Sequence, residues 1–169
     1  MILHYFKNKQ KKNEQLADLI YIDLINNLKS IYKYKNQPQN FDLVFEITTI
    51  LIFSIFYLSK NENNKYIKDT NQKIINLFTQ DLHHSLFEMG IGDMKIGKYV
   101  RKYIKKFYFR LSKLDNIFLS NDIDEFDKYL KKFNISLNNT IFTDVEAFFL
   151  FLDLYKDRIK KTFFIMNID

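Results

Sequence analysis

The side chains best equipped for chemistry in this 169-residue chain are His83 and His84, adjacent to one another with Asp81 and Glu88 close by. On a helix, His84 and Glu88 stand four residues apart on one face, a spacing at which two side chains can share a metal ion. Two further ligands are not evident, and a pair set between Leu82 and Leu86 reads more simply as the wet side of a helix whose other side is buried. His4 lies alone. Cysteine is absent, which removes disulfides, thiolate metal sites and cysteine nucleophiles together. No Gly-x-Ser-x-Gly elbow, no His-Glu-x-x-His pair and no obvious acid/base pair of carboxylates is found. The expectation is a protein that is not an enzyme and uses no cofactor.

All three glycines, Gly90, Gly92 and Gly97, fall within residues 88–98. Such a cluster could cradle a phosphate, but a P-loop requires Gly-Lys-Ser/Thr after a strand and a dinucleotide loop requires a βαβ unit. Neither order is present. A tight corner between two helices accounts for the cluster instead, with glycine where the backbone takes a positive φ or approaches another helix closely. Gly90 then stops one helix, and Asp93 caps the next and favours its positive dipole end.

Beyond that corner, Lys95, Lys98, Arg101, Lys102, Lys105, Lys106, Arg110 and Lys113 take one half of a helix at about 100° per residue. Ile96, Val100, Tyr103, Ile104, Phe107, Leu111 and Leu114 take the other. No acidic residue lies between Lys95 and Lys113, and like charges four residues apart cost helix stability unless something uses them. The cations read either as an ordinary solvated helix face or as a docking face for phosphates, acidic protein or lipid headgroups. Tyr103 and Phe107 beside lysines could suggest stacking on single-stranded nucleic acid, but their register puts them in the core. The net charge of +6 favours anionic partners such as RNA, ribosomes or acidic headgroups without choosing among them.

Positioning these residues is the work of helices. Leu16, Leu19, Ile20, Leu24, Leu28, Ile31 and Tyr32 mark one face over residues 14–34, and the single proline, Pro38, follows in a polar stretch. Residues 41–58 form an apolar run with Asn40 or Asp42 as its cap. A membrane span needs about 20 apolar residues; this run is shorter, contains Glu46 and ends at Lys60, so it reads as a core helix. Ile74, Ile75, Phe78, Leu82, Leu86 and Met89 mark a third face. Asp122 with Glu125, and Thr143 with Glu146, have capping-box spacing before two further helices, the last reaching about Phe164. The fold expected is all-α, a single-domain bundle of about six helices over residues 13–169. Residues 1–12 precede it as a flexible or loosely docked segment, apolar first and lysine-rich after, the reverse of a secretory signal. With 47% hydrophobic residues the chain is far too apolar to stay disordered.

Residues 81–93, Asp-Leu-His-His-Ser-Leu-Phe-Glu-Met-Gly-Ile-Gly-Asp, followed by Lys98, Val100 and Phe107-Tyr108-Phe109-Arg110, resemble the signature of the ubiquinol-cytochrome c chaperone family. That signature runs from an aspartate through Leu-Arg-Glu-Met-Gly-Val-Gly-Asp and a lysine-rich helix start to Phe-Tyr-Gly-Arg. Asp81, Leu86, Glu88, Met89, Gly90, Gly92, Asp93, Phe107, Tyr108 and Arg110 match it by identity. Phe87 replaces its arginine and Phe109 its glycine, so a salt bridge and a close backbone contact are not expected at those places. Matching is strong over residues 81–115, and residues 41–58 are similar to the preceding helix of the family.

The resemblance implies an assembly chaperone that binds newly made cytochrome b, or a similar membrane-protein client, while respiratory complex III is built. In mitochondrial relatives it further implies a small partner protein and work near the ribosomal exit; the basic helix would steer the chain to an acidic surface, ribosome or anionic membrane, and no DNA partner is expected. The corresponding location is the cytoplasmic side of a bacterial inner membrane, or the matrix side in a eukaryote. The alternative from the residues themselves is a helical RNA- or ribosome-binding protein acting through the basic face.

Overall fold

The structure, a computed structural model, describes residues 2–33, 40–60, 65–120 and 122–132. Among them are five helices: α1 (Ile2–Lys33), α2 (Phe41–Ser59), α3 (Lys65–Glu88), α4 (Asp93–Ser120) and α5 (Ile123–Lys132). The fold is all-α, and no described residue lies in a strand. The helix expected after Thr143 lies outside the described residues.

Caps and stops set the boundaries. The Asn40 side chain accepts hydrogen bonds from the backbone N–H groups of Asp42 and Leu43, which makes Asn40, rather than Asp42, the cap of α2. Asp122 accepts from the Glu125 N–H at the start of α5. The first helix begins at Ile2 instead of near Glu14. No glycine or proline lies between Ile2 and Lys33, so helix propagation meets no break there. It passes through the point at 12–13 where the N-terminal segment is expected to give way to the bundle.

The second helix is the centre of the bundle. Every residue from Phe45 to Ile55 is buried, so this helix has no wet face in its middle. Its polar residues are reconciled with burial locally: the hydroxyls of Thr48, Thr49 and Ser54 each donate to the carbonyl four residues back, at 2.7–2.8 Å. By length and composition α2 could also cross a bilayer; here it is packed as the core helix expected from the sequence.

Around it, α1 lies chiefly against α3, α3 against α4, and α4 against both α2 and α5. Leu16, Ile20, Leu24 and Leu28 of α1 meet Ile74, Phe78, Leu82 and Leu86 of α3 in one core, with Ile96, Phe107 and Leu114 of α4. Two residues assigned to buried stripes are on the surface instead: Leu19 is 51% exposed and Met89 is 58% exposed. Leu19 sits one step off the line through Leu16, Ile20 and Leu24, and Met89 lies just beyond the end of α3, where the helical periodicity no longer applies.

Candidate functional site

The corner between α3 and α4 carries most of the distinctive sequence, and its geometry follows from one residue. Gly90 has φ +83°, a conformation that costs an L side chain free energy and glycine none. Its N–H donates to the Phe87 carbonyl at 2.9 Å and the Ile91 N–H donates to the Leu86 carbonyl at 3.2 Å, the paired bonds of a Schellman stop. Ile91 packs on the core that contains Leu86, completing the motif's apolar contact. The chain turns at once into α4, where the Gly92 carbonyl accepts from Lys95 and Ile96. Gly92 is thus the N-cap and Asp93 the first helical residue, one place later than the cap expected for it. Its carboxylate still lies at the positive end of the helix dipole.

The other two glycines are not forced in the same way. A Cβ at Gly92 or Gly97 would meet no atom within 4 Å, so no close helix approach requires them. Gly97 lies inside α4 with helical backbone. Gly97→Ala should raise stability by about 1 kcal/mol through helix propensity, whereas Gly90→Ala should lower it by about 1 kcal/mol through its positive φ. Urea unfolding of the two variants would show opposite shifts in midpoint at unchanged slope.

A second constellation lies farther along α4, at the junction of α2, α4 and α5. Glu46 of α2 is only 2% exposed, and a buried carboxylate is tolerated only when paired. Arg110 of α4 supplies the pairing with two nitrogens, Nε at 3.1 Å from Oε2 and Nη2 at 3.4 Å from Oε1. Lys106 Nζ lies 3.0 Å from Oε1 and also 3.2 Å from Asp42. The Tyr129 hydroxyl of α5 donates to the same carboxylate at 3.5 Å. Burial, then the Glu46 charge, push the Tyr129 phenol well above its ordinary pKa, opposed only by Arg110. Tyr103, hydrogen-bonded to Asp42, is pushed up to about 12, chiefly by burial. Lys106 also stands 4.9 Å over the Phe45 ring.

This junction divides the expected basic face. Lys106 and Arg110 turn inward to the carboxylates of α2, and Lys113 pairs with Glu125 of α5 at 3.3 Å. Those three are engaged by carboxylates of the neighbouring helices. α4 carries no acidic residue between Lys95 and Lys113, and the carboxylates that pair with these three come from α2 and α5. Lys95, Lys98, Arg101, Lys102 and Lys105 remain exposed. Alongside them Tyr108 and Phe109 are exposed as well, while Phe107 is wholly buried against Phe78 with ring centroids 4.9 Å apart.

Of the matched residues, Asp81 alone lines a shallow cleft. Asp81 accepts a hydrogen bond from the Tyr21 hydroxyl at 2.9 Å, joining α3 to α1, and burial followed by the Asp81 charge raises the Tyr21 phenol far above its ordinary pKa. Together with Ile25, Leu28, Phe41, Val44, Phe78 and Leu82 they line a cleft of about 110 Å³. That is smaller than the roughly 150 Å³ cavity that admits a benzene ring, so it does not enclose a helix. His83 and His84 are exposed, their rings in edge contact, as expected of a wet helix face.

Of the matched residues, Leu86 and Gly90 build the corner, Phe107 the α3–α4 core and Arg110 the Glu46 junction. Glu88, Met89, Asp93 and Tyr108 stand on the surface. Sequence reasoning missed Glu46 as the partner of Arg110, using it only as an argument against a membrane span. The signal available was a single carboxylate in the middle of an apolar run.

Comparison with known proteins bears on all of these residues. A profile of the ubiquinol-cytochrome C chaperone family matches residues 33–145. Among solved structures, the Cbp3 homolog from Brucella abortus is 27% identical with a TM-score of 0.64, over 83% of this chain and 75% of its own. No curated protein matches the chain.

Proposed function

Because the chain belongs to the ubiquinol-cytochrome C chaperone family, we propose that it holds newly made cytochrome b during assembly of respiratory complex III and carries out no reaction on it. The observation that carries this reading is the family match itself, which spans α2 to α5 and includes the whole α3–α4 corner. The site is consistent in kind. Its deep polar groups are consumed in internal pairs, Glu46 with Arg110 and Tyr21 with Asp81. What faces outward includes apolar Phe87, Met89, Met94 and Phe109 and the five cations of α4.

The cleft is too small to engulf a client helix, so the client is held against a surface. The five exposed cations of α4 serve as the docking face toward an acidic surface, at the cytoplasmic side of a bacterial inner membrane or the matrix side in a eukaryote. Attraction between exposed charges is screened beyond about 8 Å at physiological salt, so that face acts only at close range. Any small partner protein would join the client at this surface.

Deleting the gene should remove cytochrome b and complex III while other respiratory complexes remain. Normal complex III in the deletion strain would end this reading. The RNA-binding alternative rests on the same cations and predicts a steep salt dependence on single-stranded RNA, a slope near 0.7 per phosphate contacted. A flat slope eliminates it.

A further inference from the structure

The outer face of α4 has an order along its length that neither the core nor the Glu46 junction explains. Steps of three and four residues lead from Met94 through Lys98, Arg101 and Lys105 to Tyr108 and Phe109, one stripe on a helix. Met94 is fully exposed, and Tyr108 and Phe109 are half exposed or more. At 1.5 Å per residue the stripe is about 22 Å long, apolar at both ends and cationic between. Phe87 and Met89, both more than half exposed, extend the apolar end at the corner, where Glu88 and Asp93 are the only acidic neighbours in sequence. None of Lys95, Lys98, Arg101, Lys102 and Lys105 makes an ion pair among the described residues.

We propose that this face is a bilayer-docking surface: α4 lies flat on an anionic membrane with Met94, Phe87 and Phe109 below the headgroups and the lysines among the phosphates. The proposal rests on the assembly role only for the place where the protein works. Charge complementarity selects an anionic surface, and the fully exposed thioether of Met94, which has no ring to stack on a base, selects lipid over RNA. A phosphate backbone offers Met94 and Phe87 nothing, whereas insertion removes their apolar area from water. An in-plane helix with aromatic residues and cations at headgroup level is the form such contacts take.

The test uses the full chain and sedimentation with vesicles of phosphatidylcholine alone or mixed with phosphatidylglycerol. Wild type should bind the anionic vesicles and not the neutral ones. Lys98→Glu with Lys102→Glu should weaken binding at least about tenfold, since each cation near such a surface contributes roughly fivefold. The same two reversals at exposed Lys29 and Lys65 should change it little. Replacing Phe87, Met94 and Phe109 by Ser should also lower binding at least about tenfold; these side chains are exposed, so helicity by circular dichroism should be unchanged.

Equal binding to both vesicles, equal loss from the Lys29 and Lys65 reversals, or full binding by the Ser variant each overturns the proposal. So does retention of single-stranded RNA through Lys98 and Lys102 with no vesicle binding. A chain that ignores vesicles although its deletion still removes complex III overturns this surface and leaves the assembly role standing.

Discussion

Arg110→Met should cost about 3 kcal/mol of folding stability, because it leaves the Glu46 carboxylate buried without its main partner. The arginine contributes a fork of two nitrogens to a group that is 2% exposed, and water cannot replace it at that depth. Lys106 stays within 3.0 Å and keeps the loss at the lower end of the range for broken buried pairs. For a chain of this size such a loss lowers the melting temperature by roughly 10 °C. Replacing both partners, Glu46→Leu with Arg110→Met, should recover at least half of the deficit, since an apolar pair needs no solvation. Denaturant unfolding of the two single variants and the double variant measures the coupling. Additive losses would show that the two side chains do not act as a pair.

Phe107→Ala should be comparably damaging, about 3–5 kcal/mol, while Tyr108→Ala, one residue on, should stay within about 0.5 kcal/mol. The difference lies in where α4 points each ring. Phe107 is wholly buried at the meeting of α3 and α4 beside Phe78, and its removal opens a cavity that the surrounding helices cannot close. Tyr108 is half exposed and rests on the Phe107 ring at 5.5 Å. Thermal melts of the two variants decide the matter; similar losses at both positions would mean that α4 does not present its outer face to solvent. If the contrast holds, Tyr108→Ala becomes the useful probe, because any loss of assembly activity it causes cannot be charged to unfolding.

How much of this was legible beforehand depended on whether the information is local. The buried side of α4 was readable from period alone, since Ile96, Phe107 and Leu114 repeat at helical steps and all three are buried. Gly90 was readable because a helix stop needs positive φ, and the positive φ is there. The inward turn of Lys106, Arg110 and Lys113 was not. Their carboxylates come from α2 and α5, with Glu46 separated from Arg110 by 64 residues, and nothing along one sequence pairs them. Leu19 and Met89 show the limit of periodicity from another side: an apolar residue at a plausible step is still exposed when no helix passes over it. The five helices described agree in kind with the bundle expected, and the helix after Thr143 falls beyond them.

Glu46 has one more consequence, and it concerns the chain while it is being made. Phe41–Ser59 has a mean hydropathy of 1.9 over a length sufficient to span lipid, and it leaves the ribosome well before α4 exists to cover it. A carboxylate inside that stretch raises the cost of translocon insertion by an amount on the order of 3 kcal/mol for an acidic residue at mid-span, and less toward the end. The same atom pair that later receives the guanidinium therefore acts earlier as a deterrent to mistaken insertion. The greasiest segment of the chain thereby carries its own barrier to entering the bilayer.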